Sequence, residues 1–180
     1  MRKKSKPNIA RIARNIKLLI LDVDGVLTDG SITLDNKGNE YKSFHVRDGH
    51  GIKMLLRAGI EVAILTGRES KVVERRASEL GIKEVYQKCF NKTAVYHALT
   101  EKFSLLDSEV AYMGDDVVDV PVMKKVGMPV TVADAAMGMR KYSLFITKNG
   151  GGRGAVREVT DLMLSSKGLW KRMMDEYLEA

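Results

Sequence analysis

Apolar positions along this chain fall into two patterns, short unbroken runs and longer stretches at helical spacing, and the two alternate almost from end to end. Residues 18–21 are apolar without interruption and run into Asp22, Val23 and Asp24, as a strand buried on both faces does when its carboxyl end opens into a site. Residues 31–46 then alternate weakly around an Asn36-Lys37-Gly38-Asn39 turn, which predicts a β-hairpin projecting as a flap beside the two acids. A helix follows, with Asp48 as its expected N-cap and Gly59 as its C-cap.

Beyond it the pattern predicts strands at 60–65, 84–86, 110–113, 129–132 and 144–147, and helices at 70–80, 93–103 and 117–126. A short helix after Ala135 and two terminal helices from Gly154 and Lys167 complete the chain. Such alternation with short links predicts an α/β fold, a Rossmann-like parallel sheet sandwiched by helices. A flexible loop is expected at 149–154, where four of six residues are glycine.

Composition narrows the class. The 180 residues suffice for one domain with a proper core, and 44% apolar with 29% charged residues is ordinary for a globular protein. No stretch approaches the length of a membrane span, so no membrane partner is expected. The net charge of +7 is carried by Arg2, Lys3, Lys4, Lys6, Arg11, Arg14 and Lys17, ahead of the first acid. After them bases and acids balance, so residues 1–16 read as a basic tail or short helix before a domain at 17–180, and no nucleic-acid partner is expected. A single cysteine, Cys89, excludes an internal disulfide and fits a reducing, cytoplasmic setting.

Ligands of open α/β sheets sit outside the carboxyl ends of the strands, and the unusual polar residues of this chain fall at those ends. Asp22 and Asp24 end the first strand, Thr66-Gly67-Arg68 the second, Asn91-Lys92 follow the third, and Gly114-Asp115-Asp116 end the fourth, with Asp119 a turn later. Carboxylates converging with a hydroxyl and an ammonium suit phosphoryl transfer assisted by Mg²⁺, whose preferred ligands are carboxylates, water and phosphate oxygens. The three histidines are not spaced as a zinc site. Each residue also has a plainer reading: solvated acids at a strand end, Lys92 as a surface charge, Thr66 as an N-cap, Arg75 and Arg76 as a solvated helix face, and the ten methionines as core filling.

The ordered set Asp22-x-Asp24-Gly25, Thr66, Lys92 and Gly114-Asp115-Asp116-Val117-Val118-Asp119 resembles the haloacid dehalogenase-like phosphatases. The resemblance implies that Asp22 is the nucleophile, that Asp24 donates and later accepts the proton, and that Thr66 and Lys92 hold the phosphate. It implies that Mg²⁺ is held by the Asp22 carboxylate, the Asp24 carbonyl and Asp115, with Asp116 and Asp119 in support. It also implies contacts to a sugar acid phosphate from Asp24, His45, Val46, Arg47, Asp48, Gly49, Gly67, Arg68, Arg76 and Lys92, where guanidinium groups match both anions of the substrate.

Spacing adds that no large cap domain fits, since Asp24 and Thr66 leave room only for the hairpin and one helix. Water exclusion is then expected from neighbouring subunits, with a homotetramer implied by the resemblance and the glycine-rich loop and C-terminal tail closing a neighbour's site. The resemblance also implies that Arg68 after Thr66-Gly67 favours an eight-carbon sugar acid over a nine-carbon one. Two readings from other classes are a phospho-accepting signalling domain, which would carry paired acids after its first strand and its acceptor after a later one, and a non-catalytic oligomerisation module.

Overall fold

The computed structural model describes residues 8–179. Six parallel strands form one sheet in the order β5-β4-β1-β6-β7-β8: β1 Leu18–Leu21, β4 Glu61–Leu65, β5 Glu84–Tyr86, β6 Val110–Met113, β7 Met128–Thr131 and β8 Phe145–Ile146. The strand with four unbroken apolar residues is central, pairing with β4 on one side and β6 on the other. All four of its residues are fully buried, because helices cover both faces of the sheet. The expected α/β architecture is present.

Side-chain alternation divides the core in two. Leu19 and Leu21 join a cluster built with α1 (Ile9–Asn15), α2 (Val46–Arg57), α3 (Lys71–Leu80), α6 (Ala155–Ser166) and α7 (Trp170–Leu178). Leu18 and Ile20 join Tyr96 and Leu99 of α4 (Lys92–Lys102) and Val122 and Met123 of α5 (Val120–Met123). Of the basic segment, residues 1–7 lie outside the described residues, while α1 follows an Asn8 cap and contributes Ala13 to the first cluster.

Between β1 and β4 the chain has room only for α2 and a hairpin of two-residue strands, β2 (Thr33–Leu34) and β3 (Glu40–Tyr41). Both residues of β2 are exposed, so the hairpin buries almost nothing of its own. The helix expected at 117–126 is shorter than its apolar pattern: a 3₁₀ turn at Val117–Asp119 leads into the one-turn α5, with Pro121 at its start.

One expectation about an individual group is corrected. Helix α2 begins at Val46 with His45 in the cap position, so Asp48 sits inside its first turn and does not cap it. Its buried carboxylate instead accepts from the amides of Gly154 (3.2 Å) and Arg157 (2.7 Å), capping α6 from 106 residues away. The glycine-rich loop is packed in part on its own chain. Gly152 donates its amide to the Val26 carbonyl (2.9 Å), and a Cβ on Gly151 would run into the Gly25 carbonyl, so glycine permits the loop to lie on the turn that follows β1. In the C-terminal helix Met173 is fully buried, and Arg57 of α2 bonds Glu176 and the Tyr177 hydroxyl.

Candidate active site

From β1 the chain passes to β4 and β5 on one side, then crosses to β6 on the other, so strand order reverses beside the carboxyl end of β1. A crevice opens at such a point in any parallel sheet. Here it is a cleft of about 400 Å³ lined by Asp22, Asp24, Thr66, Gly67, Arg68, Lys92 and Asp115, together with Gly30, Cys89, Phe90, Asp116 and Val118.

At its floor Lys92 is buried and donates to Asp22 Oδ2 and Asp119 Oδ1, both at 2.7 Å. Local sequence puts it there: Asn91 caps α4 by accepting from the Ala94 amide, which sets the first residue of the helix beneath β1. Asp119 is saturated, since it also accepts from the Tyr112 hydroxyl (2.6 Å) and from the amides of Asp115 (3.0 Å) and Asp116 (3.3 Å). Asp22 takes one further bond, from the Val23 amide at 2.7 Å. Asp116 turns away to cap the 3₁₀ turn through the Val117 amide.

Oxygen atoms of Asp22, Asp115 and Asp119 lie within 4.8 Å of one another, against one ammonium. The electrostatic consequence is plain. Burial, then the Asp119 charge, pushes Asp22 up to about 6 despite Lys92. Burial, then Asp119, Asp22 and Asp116, pushes Asp115 up to about 7. Burial pulls Lys92 down, but Asp22 and Asp119 outweigh it and its pKa ends above the ordinary value. Among the described residues Asp115 has no cationic partner. A Cβ on Gly25, whose φ is +85°, would collide with its carboxylate, so the site preserves space for that acid. This donor set lacks positive charge and fits a hard divalent cation.

A stability prediction follows from the two raised carboxyl groups. Their folded pKa values exceed the unfolded value of 3.8, so the metal-free folded state holds more protons between about pH 4 and about pH 7. Their contribution is fully present below that window and lost as pH rises through it. Thermal melts in chelator should show this fall, and millimolar Mg²⁺ should reverse it at pH 7; a metal-free protein unaffected by Mg²⁺ would contradict the site.

At the mouth the structure adds two residues that the sequence reading missed. Lys42, with 1% of its side chain exposed, pairs with Asp24 and lies 3.5 Å from Glu40. Arg68 Nε lies 3.6 Å from Asp24 and its NH2 donates to Glu40 at 3.0 Å. The signal was present as Glu40 and Lys42 two residues apart, hence on one face of the hairpin, beside the first-strand acids.

His45, Val46, Arg47, Asp48, Gly49 and Arg76 are not in this cleft. His45, Asp48, Gly49 and Arg76 border a small hollow between α2 and α3, where Arg76 lies over the Phe44 ring and its Nε is buried without a partner. Val46 and Arg47 are exposed on the first turn of α2. The expected substrate contacts thus divide between the cleft, this hollow and the exposed start of α2.

Comparison with known proteins gives these features their context. Residues 73–158 match the family model described as haloacid dehalogenase-like hydrolase. The 3-deoxy-D-manno-octulosonate 8-phosphate phosphatase of Salmonella typhimurium is 51% identical over 162 residues, covering 90% of this chain and 86% of that protein. That of Escherichia coli K12 is 53% identical over 156 residues, covering 87% and 83%. Among solved structures, the Yersinia pestis phosphatase of that name superposes with a TM-score of 0.89 at 47% identity, covering 91% of this chain and 88% of that one. The Moraxella catarrhalis phosphatase, solved in complex with magnesium ion, phosphate ion and a KDO molecule, gives 0.91 at 39% identity, covering 94% and 97%. With half its residues identical over nine-tenths of its length, and its acids gathered where strand order reverses, the chain belongs to the 3-deoxy-D-manno-octulosonate 8-phosphate phosphatase family of haloacid dehalogenase-like hydrolases.

Proposed function

We propose that this protein hydrolyses 3-deoxy-D-manno-octulosonate 8-phosphate to the free sugar acid and phosphate, in lipopolysaccharide precursor synthesis. The observation that carries the reading is the pair of buried acids Asp22 and Asp119 bonded by Lys92, with half-buried Asp115 beside them and Asp24 at the mouth of the same cleft. In this reading an Asp22 oxygen attacks phosphorus and the ester bond breaks, leaving an aspartyl-phosphate. Asp24 gives its proton to the departing sugar oxygen. It then takes a proton from the water that attacks the same phosphorus, and phosphate leaves with Asp22 regenerated. Lys92 holds Asp22 in position and offsets phosphate charge, while the Thr66 hydroxyl and nearby amides orient the transferred group.

Asp22, the Asp24 carbonyl and Asp115 would hold Mg²⁺, with Asp119 fixing Lys92 and the Asp115 backbone. The cation supplies charge that screens an anionic nucleophile from an anionic ester. Asp119 accepts four hydrogen bonds already, which favours this anchoring role over direct ligation.

A homotetramer accounts for the divided substrate contacts. The cleft has no large cap above it, and Val46 and Arg47 stand exposed on the first turn of α2, where a neighbour's cleft can meet them. Among the described residues no helix is long and apolar enough to cross a membrane. The cytoplasm, which keeps the lone buried thiol of Cys89 reduced, is the compartment that fits.

Phosphate release should be measured on a panel of sugar phosphates with Mg²⁺ and with chelator. The eight-carbon acid phosphate is expected to give the highest kcat/KM, and chelator to abolish release. A nine-carbon acid phosphate that performs better would move the substrate while leaving the chemistry. Release unaffected by chelator would remove the chemistry itself.

A further inference from the structure

The hairpin has little reason to stay where it is on packing grounds alone. Both residues of β2 and Tyr41 of β3 are exposed, and isolated two-stranded ribbons are marginal in water. What ties it to the domain at the cleft is a ring of four charges. Lys42 bonds Asp24, Arg68 bonds Glu40, and the two remaining sides of the ring, Lys42 to Glu40 and Arg68 to Asp24, are 3.5 Å and 3.6 Å. Two of the four groups come from the hairpin, one from the turn after β1 and one from the turn after β4.

Lys42 is the most enclosed member, with 1% of its side chain exposed against 46% for Arg68. An ammonium that gives up its water must be repaid by fixed partners, and its partners here are Asp24 and Glu40. Asp24 lies on a turn that Gly25 leaves at φ +85°, so its own backbone does little to restrict its carboxylate. The contact from Lys42 to Oδ1 leaves Oδ2 on the side of Arg68 and the cleft.

We infer that Lys42 is a positioning residue: through Asp24 it fixes the carboxyl group that exchanges protons with the leaving oxygen, and it thereby makes flap position part of the proton-transfer geometry. The inference rests on the phosphatase reading. It differs from a substrate-binding role because Lys42 is enclosed by the ring, and from a purely structural role because its contact is with a reacting group.

The two roles separate by leaving group. A sugar alkoxide needs a proton as the ester bond breaks, whereas p-nitrophenolate leaves without one. The second-order constant kcat/KM reports only steps up to formation of the aspartyl-phosphate, so the later water attack does not enter. Lys42→Met is expected to lower kcat/KM by on the order of 30-fold for 3-deoxy-D-manno-octulosonate 8-phosphate and for ribose 5-phosphate, but by under about threefold for p-nitrophenyl phosphate. Lys42→Arg, which can still reach Asp24, should recover most of the loss. Activity on p-nitrophenyl phosphate also serves as the check that the variant folds. Equal losses on all three substrates would overturn the inference, leaving Lys42 a structural tie. A loss confined to the carboxylate-bearing ester would overturn it in favour of direct substrate contact. Failure of wild-type protein to hydrolyse any of the three would instead overturn the phosphatase reading.

Discussion

Asp22→Asn is expected to reduce turnover by at least about 10⁴-fold while leaving the protein folded, because an amide cannot form the acyl-phosphate and no neighbouring acid occupies its place at the end of β1. The structural effect should run the other way. Asp22 carries a pKa raised to about 6 by burial and by Asp119, so its charged form opposes folding near neutral pH. Removing that charge relieves the cluster, and Lys92 keeps its 2.7 Å contact with Asp119. Thermal melts in chelator at pH 7 should therefore place the variant at or above wild type, beside an assay that finds it inactive. Comparable turnover would dismiss Asp22 as nucleophile, and a large fall in melting temperature would mean that the acid is there for the fold.

Lys92→Ala should show the converse pattern, losing stability as well as activity. The ammonium is the cation that Asp22 and Asp119 share, and removing one partner from a buried ionic group costs about 3–5 kcal/mol because the others are left uncompensated. Three carboxylates within 4.8 Å would then face each other with only amide and hydroxyl donors. Denaturant melts without metal should register the loss, and Mg²⁺ should recover part of it by supplying charge to the same oxygens. Turnover should fall by on the order of 10²–10³-fold even with Mg²⁺ saturating, since phosphate and nucleophile both lose a contact. A variant as stable as wild type in chelator would show that the cluster is solvated and not the enclosed set described above.

The parts of this molecule legible in the sequence are those governed by short-range pattern. Leu18 to Leu21 announced a strand buried on both faces, and the acids after β1 and β6 announced a site, since strand ends converge in any parallel sheet. Lys92 could be placed because it follows the third strand in order with the other strand-end groups. Residues whose partners lie far along the chain were harder. Asp48 looked like the cap of the helix it begins, yet its carboxylate is drawn to the amides of Gly154 and Arg157, a pairing that no local window contains. Lys42 was passed over because a lysine in a polar hairpin looks solvated until Asp24, eighteen residues earlier, is folded against it. The glycines at 150–152 suggested mobility, whereas they answer packing demands from Asp134, Gly25 and Thr28. Pro121 shortened a helix that hydrophobic spacing alone had extended.

The central place of β1, with a strand bonded along each edge, gives floor and roof of the cleft unequal permanence. Amides of the floor are released only when the whole sheet comes apart, while the two-stranded hairpin, tied to the domain by four charges, can open on its own. Warming or mild denaturant would therefore lift the flap, and free Asp24 from Lys42, well before it disturbs the Asp22 and Lys92 contact beneath.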